Sequence, residues 1–146
     1  MRLQYNNTVI SLQLAKELKD LKLRQESTFY WCHEKHLPTG QVPTNEWTIQ
    51  MRALSQPQKR ISAYTAEELL TFLPPEIYFH NKPYNLEISK AGKFFLVFYI
   101  NDCKYLGAAP KTSDSLCESV GRAILNLLPM HFLIVNEDGY LIGVNR

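Results

Sequence analysis

The sequence predicts an α+β fold, a single domain over 1–146 in which an antiparallel β-sheet, made of a meander plus a C-terminal hairpin, carries about three packed α-helices. Three observations lead there. Residues 93–100 put seven consecutive apolar or aromatic side chains behind one lysine. Side chains alternate across a strand, so Phe94, Leu96, Phe98 and Ile100 face one way and Phe95, Val97 and Tyr99 the other, with neither face polar. Burying each is worth about 1.5–3 kcal/mol, so the run predicts a central strand covered on both sides. Helix-capping signatures stand at Thr65 and Ser115, each with a glutamate three residues on. Two apolar runs close on Asp138-Gly139, a hairpin signal.

Residues 1–10 alternate weakly, as a short edge strand would, and Asn6-Asn7 marks a turn. Leu14, Leu18 and Leu21 recur at i, i+4 and i+7 among charged residues, which predicts a helix over 12–22 with Ser11 as N-cap. The lysines at 16, 19 and 22 interleave with Glu17 and Asp20, the mixture of a solvated face. Ser27-Thr28-Phe29-Tyr30-Trp31-Cys32 is β-branched and aromatic, so it reads as a strand. Over 33–60 the periodicity dissolves among Pro38, Gly40, Pro43 and Pro57, which predicts a long irregular loop, with Trp47-Thr48-Ile49-Gln50-Met51 alternating like a short strand within it.

The second helix is written at both ends. Thr65 and Glu68 form a capping box, Tyr64 and Leu69 occupy the staple positions, and Pro74-Pro75 stops the chain from continuing. A loop through Asn81-Lys82-Pro83 leads to a strand over 84–89, a turn at Lys90-Ala91-Gly92, the central strand, a tight turn at Asn101-Asp102 and a return strand over 103–106. Leu116, Val120, Ala123, Ile124, Leu127 and Leu128 make one stripe on a third helix over 115–128, expected to cover one face of the central strand. The chain closes with strands over 132–135 and 140–144.

The charge of +2 and a pI near 8.4 are mild beside the clustered basic face of a nucleic-acid-binding domain. Three cysteines and no signal-like N-terminus give the expectation of a reduced, cytoplasmic protein, and no apolar run reaches the ~18–20 residues of a membrane span. The glycines, at 40, 92, 107, 121, 139 and 143, assemble no phosphate-cradling loop. G-x-S-x-G and H-E-x-x-H are missing as well. The sequence therefore predicts no cofactor, no catalytic residues and no enzyme activity.

Cys32-His33-Glu34-Lys35-His36 is the densest group of metal-ligating types. A structural zinc site takes four ligands in spaced pairs, and Cys103, Cys117, His80 and His131 supply no second pair, so Cys32, His33 and His36 are weak candidates. Cys32 and His33, as strand neighbours, point to opposite faces and make no nucleophile-base pair. Cys117, early in the third helix, reads as a buried small hydrophobe. Trp31, Trp47, Met51, Arg52, Lys59 and Arg60 combine the aromatic, thioether and guanidinium groups enriched at protein interfaces, and are the predicted binding residues for a protein partner. Aromatic rings beside basic groups also stack and hold nucleic acid, which is the alternative.

Three strings carry a resemblance. Ser11-Leu12-x-Leu14-Ala15-Lys16-x-Leu18-Lys19-x-Leu21 runs into Gln25-Glu26-Ser27-x-Phe29-Tyr30-Trp31. Ala63-Tyr64-Thr65-x-x-Glu68-Leu69-Leu70-x-x-Leu73-Pro74 follows, and then Asp114-Ser115-Leu116 ahead of an apolar helix. In this order, over most of 8–128, they resemble small proteins of prophage and other mobile-element regions in gut Bacteroidetes-type bacteria. The resemblance implies an intracellular, phage-like setting and little enzymology, and it carries over no functional residue.

Overall fold

The computed structural model describes residues 8–33, 47–51, 60–107, 109–110 and 112–144. The element order is α1 (Leu12–Asp20), β1 (Phe29–His33), β2 (Trp47–Met51), β3 (Arg60–Ser62), α2 (Ala66–Phe72), β4 (Glu76–Phe79), β5 (Lys82–Ala91), β6 (Phe94–Asn101), β7 (Lys104–Tyr105), α3 (Leu116–Leu127), β8 (Leu133–Val135) and β9 (Leu141–Gly143). The fold is the expected α+β, with a meander and a C-terminal hairpin. Among the described residues the strands divide among three antiparallel sheets, ordered β2-β1-β3, β4-β5-β6-β7 and β8-β9.

Local signals fix the helices. The Ser11 hydroxyl accepts from Leu14 N, and α1 stops two residues short of the expected end because Lys22 turns left-handed (φ 68°) and Leu23 N reaches back to Leu18 O. At α2 both halves of the capping box form, and Tyr64 and Leu69 are fully buried. The Glu68 carboxylate also accepts from Ser27 Oγ (2.7 Å) and Thr28 N (2.8 Å), tying the helix start to the approach to β1. Burial alone would raise this carboxyl. The hydrogen bonds from Thr65, Thr28 and Ser27 outweigh it and hold the pKa below the usual carboxylate value. The box at α3 is half formed. Ser115 Oγ accepts from Glu118 N (3.4 Å), but the Glu118 carboxylate turns to Ser11, taking its backbone N–H and its hydroxyl, and so clamps α3 to the start of α1.

Turn chemistry sets the meander. The expected loop at 81–83 is a two-residue turn at His80-Asn81 (φ 51° and 59°) that adds β4, a strand the sequence reading omitted. Pro83 lies beyond the last β5–β6 pair, Asn85–Ile100, so its missing N–H breaks no ladder bond between them. The next turns shift by about one residue from expectation, to Gly92-Lys93 and to Asp102-Cys103 (φ 44° and 66°). In the loop predicted over 33–60, Trp47–Met51 is the short strand expected, and Arg60–Ser62 is an unforeseen one that pairs with β1. Residues 34–46 and 52–59 of that loop, and the Asn6-Asn7 turn, lie outside the described residues.

The core gathers around α3, which packs on β6, α2 and α1. Its buried side is Cys117, Ser119, Val120, Gly121, Ala123, Ile124 and Leu127, whereas Leu116 and Leu128, expected in the stripe, are half-buried flanks. Two polar ties fasten the inner side of β6: Ser119 Oγ donates to Phe95 O (3.0 Å) and Tyr99 Oη to Pro74 O (2.6 Å). Val97 and Tyr99 are buried there, at 3% and 1% exposure.

The other side of β6 corrects the central expectation. Phe94 is 41% exposed, Leu96, Phe98 and Ile100 are half-buried, and none of the four belongs to the core. The strand is covered on one face, because α3 has a single apolar face to give it and the remaining apolar surface of the helices packs elsewhere in the core.

Candidate functional site

Of the six predicted binding residues, the four described, Trp31, Trp47, Met51 and Arg60, divide between two faces of one sheet. Register puts Trp31, Trp47 and Met51 on a shared face of the three-stranded sheet, since Trp31 pairs with Ile49, His33 with Trp47 and Phe29 with Met51. Both tryptophans are partly buried against the core. Trp31 leans on the core and its indole N–H donates to Ile10 O (3.1 Å). Trp47 is half-buried against the core beneath the Lys16 ammonium, 5.2 Å from its ring centroid. Met51 is 51% exposed. Arg60 pairs with Cys32, which sends it to the opposite face, where its guanidinium lies 4.7 Å above the Tyr30 ring. Arg52 and Lys59 lie outside the described residues.

The thiols and imidazoles are similarly dispersed. Cys32 is buried and its neighbour His33 takes the other face of β1, where it tilts against Trp47 at 5.2 Å; His36 is outside the described residues. Among the described residues no three histidine, cysteine or acidic side chains are grouped for a metal ion. Cys117 is buried with its Sγ 2.9 Å from Ser115 Oγ, and burial pushes its thiol above the ordinary range, the reverse of what a nucleophile needs. Cys103 is exposed in the β6–β7 turn.

What the structure does gather is the open side of the four-stranded sheet. Phe94, Leu96, Phe98 and Ile100 form a row along β6, and Tyr105, 48% exposed, pairs with Ile100 and meets Phe98 edge-on at 5.0 Å. Tyr78 on β4 is exposed on the same side. Across from this row β5 presents Asn85, Glu87, Ser89 and Ala91, with Glu87 directly opposite Phe98. Glu76, paired with Asn85, adds a second carboxylate on that flank and raises the Tyr78 phenol. At the Phe94 end the Lys93 ammonium sits 5.4 Å from the Phe94 ring. The surface is thus an apolar row with an acidic flank and a basic end.

The sequence held the signal for it. Tyr84-Asn85-Leu86-Glu87-Ile88-Ser89 alternates polar and apolar, so the strand beside β6 announces one solvated face, and pairing extends that exposure to β6. A groove of about 400 Å³ between α1 and α3 is a lesser candidate, because its carboxylates Glu118 and Glu17 are engaged by Ser11 and Gln13. No protein-family model matches the chain, and no curated protein or solved structure matches it either. Among the described residues no helix is long and apolar enough to cross a membrane.

Proposed function

We propose that the chain is a non-enzymatic protein-interaction module that receives an amphipathic segment, apolar along one stripe and basic along one flank, on the open side of the four-stranded sheet. The carrying observation is the row Phe94, Leu96, Phe98 and Ile100, left outside the core beside Glu87 and Glu76. Alternate strand residues are about 6.7 Å apart, so the row is about 20 Å long, matching roughly 13 residues of helix. The acidic flank selects lysine or arginine on the partner and disfavours nucleic acid, whose phosphates it repels. The mobile-element setting rests on the three-string resemblance alone.

The test is an amide-resonance titration of the whole chain with two synthetic amphipathic helices, identical except for lysine or glutamate along the flank. The lysine peptide is expected to shift the amides of residues 94–100 and to bind about fivefold more tightly, the effect of two exposed charge pairs at about 0.5 kcal/mol each. Phe98→Ser should abolish the shifts while leaving the remaining spectrum intact. Equal binding of both peptides, or shifts confined to other elements, would overturn the proposal. A dimer in sedimentation that Phe98→Ser dissolves would replace it with self-association.

A further inference from the structure

The two left-handed turns lie at one end of the four-stranded sheet, because β4 runs out to His80-Asn81 in the same direction that β6 runs out to Asp102-Cys103. Between them is a cleft of about 300 Å³ lined by Phe79, His80, Lys82, Tyr84, Asn101, Asp102 and Lys104. That volume is at the lower bound of small-molecule sites, about 300 Å³. Register explains the grouping. Phe79 pairs with Lys82, and Asn101 with Lys104; alternation from Ile77 and Tyr99 puts all four, with Tyr84, on the inner side of the sheet. No residue of α3 lines this end.

We infer that this cleft binds a nucleoside monophosphate. Lys82 and Lys104 rise from strands two positions apart, a backbone separation of about 10 Å, close enough for both ammoniums to converge on one phosphate. Among the described residues neither lysine has an ion-pair partner, so their charge is available to a ligand. The wall is aromatic. Phe79 lies 4.0 Å from the His80 ring, 6.5 Å from Tyr84 and edge-on to Phe132 at 5.2 Å, which fixes its plane for a stacked base. Asn101 Nδ2 donates to Pro83 O (2.6 Å), holding the two hairpins together across the floor. Asp102, the one carboxylate among the described lining residues, accepts a ribose hydroxyl and makes a bare dianion a poorer fit than a phosphorylated nucleoside.

Calorimetric titration of the whole chain with adenosine 5′-monophosphate, adenosine and inorganic phosphate as separate probes tests the assignment. The monophosphate is expected to bind at least about tenfold more tightly than either fragment, and Lys82→Gln and Lys104→Gln each to weaken it about tenfold, or ~1.4 kcal/mol. Both lysines are exposed, so the variants keep the fold, and their amide spectra verify it. Phosphate binding as tightly as the nucleotide would remove the base from the proposal and overturn it. Nucleotide binding indifferent to both lysine variants, or undetectable at millimolar ligand, would overturn it too.

Discussion

Val97 and Tyr99 leave β6 on one side, Leu96 and Phe98 on the other, and similar apolar chemistry meets two environments. The inner pair touches the core built on α3, and the strand is tied there by Ser119 to Phe95 O and by Tyr99 to Pro74 O. The outer pair lies outside the core, next to the Glu87 flank. A strand pattern therefore records which residues can be buried, while the number of helical faces available decides which are. The sharpest test of the inner side is Tyr99→Ala. It removes a phenol ring that is 1% exposed, leaves a cavity under α3 and strands the Pro74 carbonyl, so a loss of about 3–5 kcal/mol is expected in urea unfolding. A loss under about 1 kcal/mol would mean that the two sides are alike.

The next effect separates the sides by pH. Burial raises the Tyr99 phenol well above its ordinary value, and Tyr64 likewise, with burial again the largest cause. A pKa raised in the folded state gives stability that is complete below the unfolded value of about 10 and is lost as pH climbs past it, because the unfolded phenol then ionises first. Tyr78 on the outer side is also raised, chiefly by the neighbouring Glu76 carboxylate and less by burial, and being exposed it titrates in the folded protein without opening the core. Comparing urea midpoints at about pH 8 and about pH 11 should show wild type losing stability steeply. Tyr99→Phe, weaker by about 1 kcal/mol at the lower pH for want of the Pro74 bond, should lose less on the way up.

Much of the fold was legible because it is encoded locally. The Thr65–Glu68 box and the Ser11 cap are formed as expected, and the α3 stripe is buried at Val120, Ala123, Ile124 and Leu127. Part of what failed depended on distant partners. The Glu118 carboxylate left its capping role for Ser11, which no local rule describes. Strand β4 was hidden because His80-Asn81 adopts two left-handed conformations without the glycine that usually marks such a turn. Composition also does not tell how far an aromatic packs: Trp31 and Trp47 are partly buried against the core, and Trp31 donates to Ile10 O, twenty-one residues away. The open face of β6 was readable, but only from the polar alternation of its neighbour β5.

The smallest effect is expected on the outer side, and its size is informative. Phe94 is 41% exposed, its ring contacting the Lys93 ammonium at 5.4 Å, and it pairs across the ladder with Ala91, a side chain too small to enclose it. Phe94→Thr puts a β-branched residue of good strand propensity in the strand and removes a ring that the core does not use. The unfolding free energy should therefore move by no more than about 0.5 kcal/mol, the range of ordinary surface substitutions. The same substitution should lower affinity for the lysine-flanked helix, since it deletes the end of the apolar row. A variant that keeps its stability while losing the ligand would separate a residue retained for contact from one retained for folding. A Phe94→Thr chain destabilised as much as Tyr99→Ala would instead make the row part of a second core and take away the surface that the proposed partner requires.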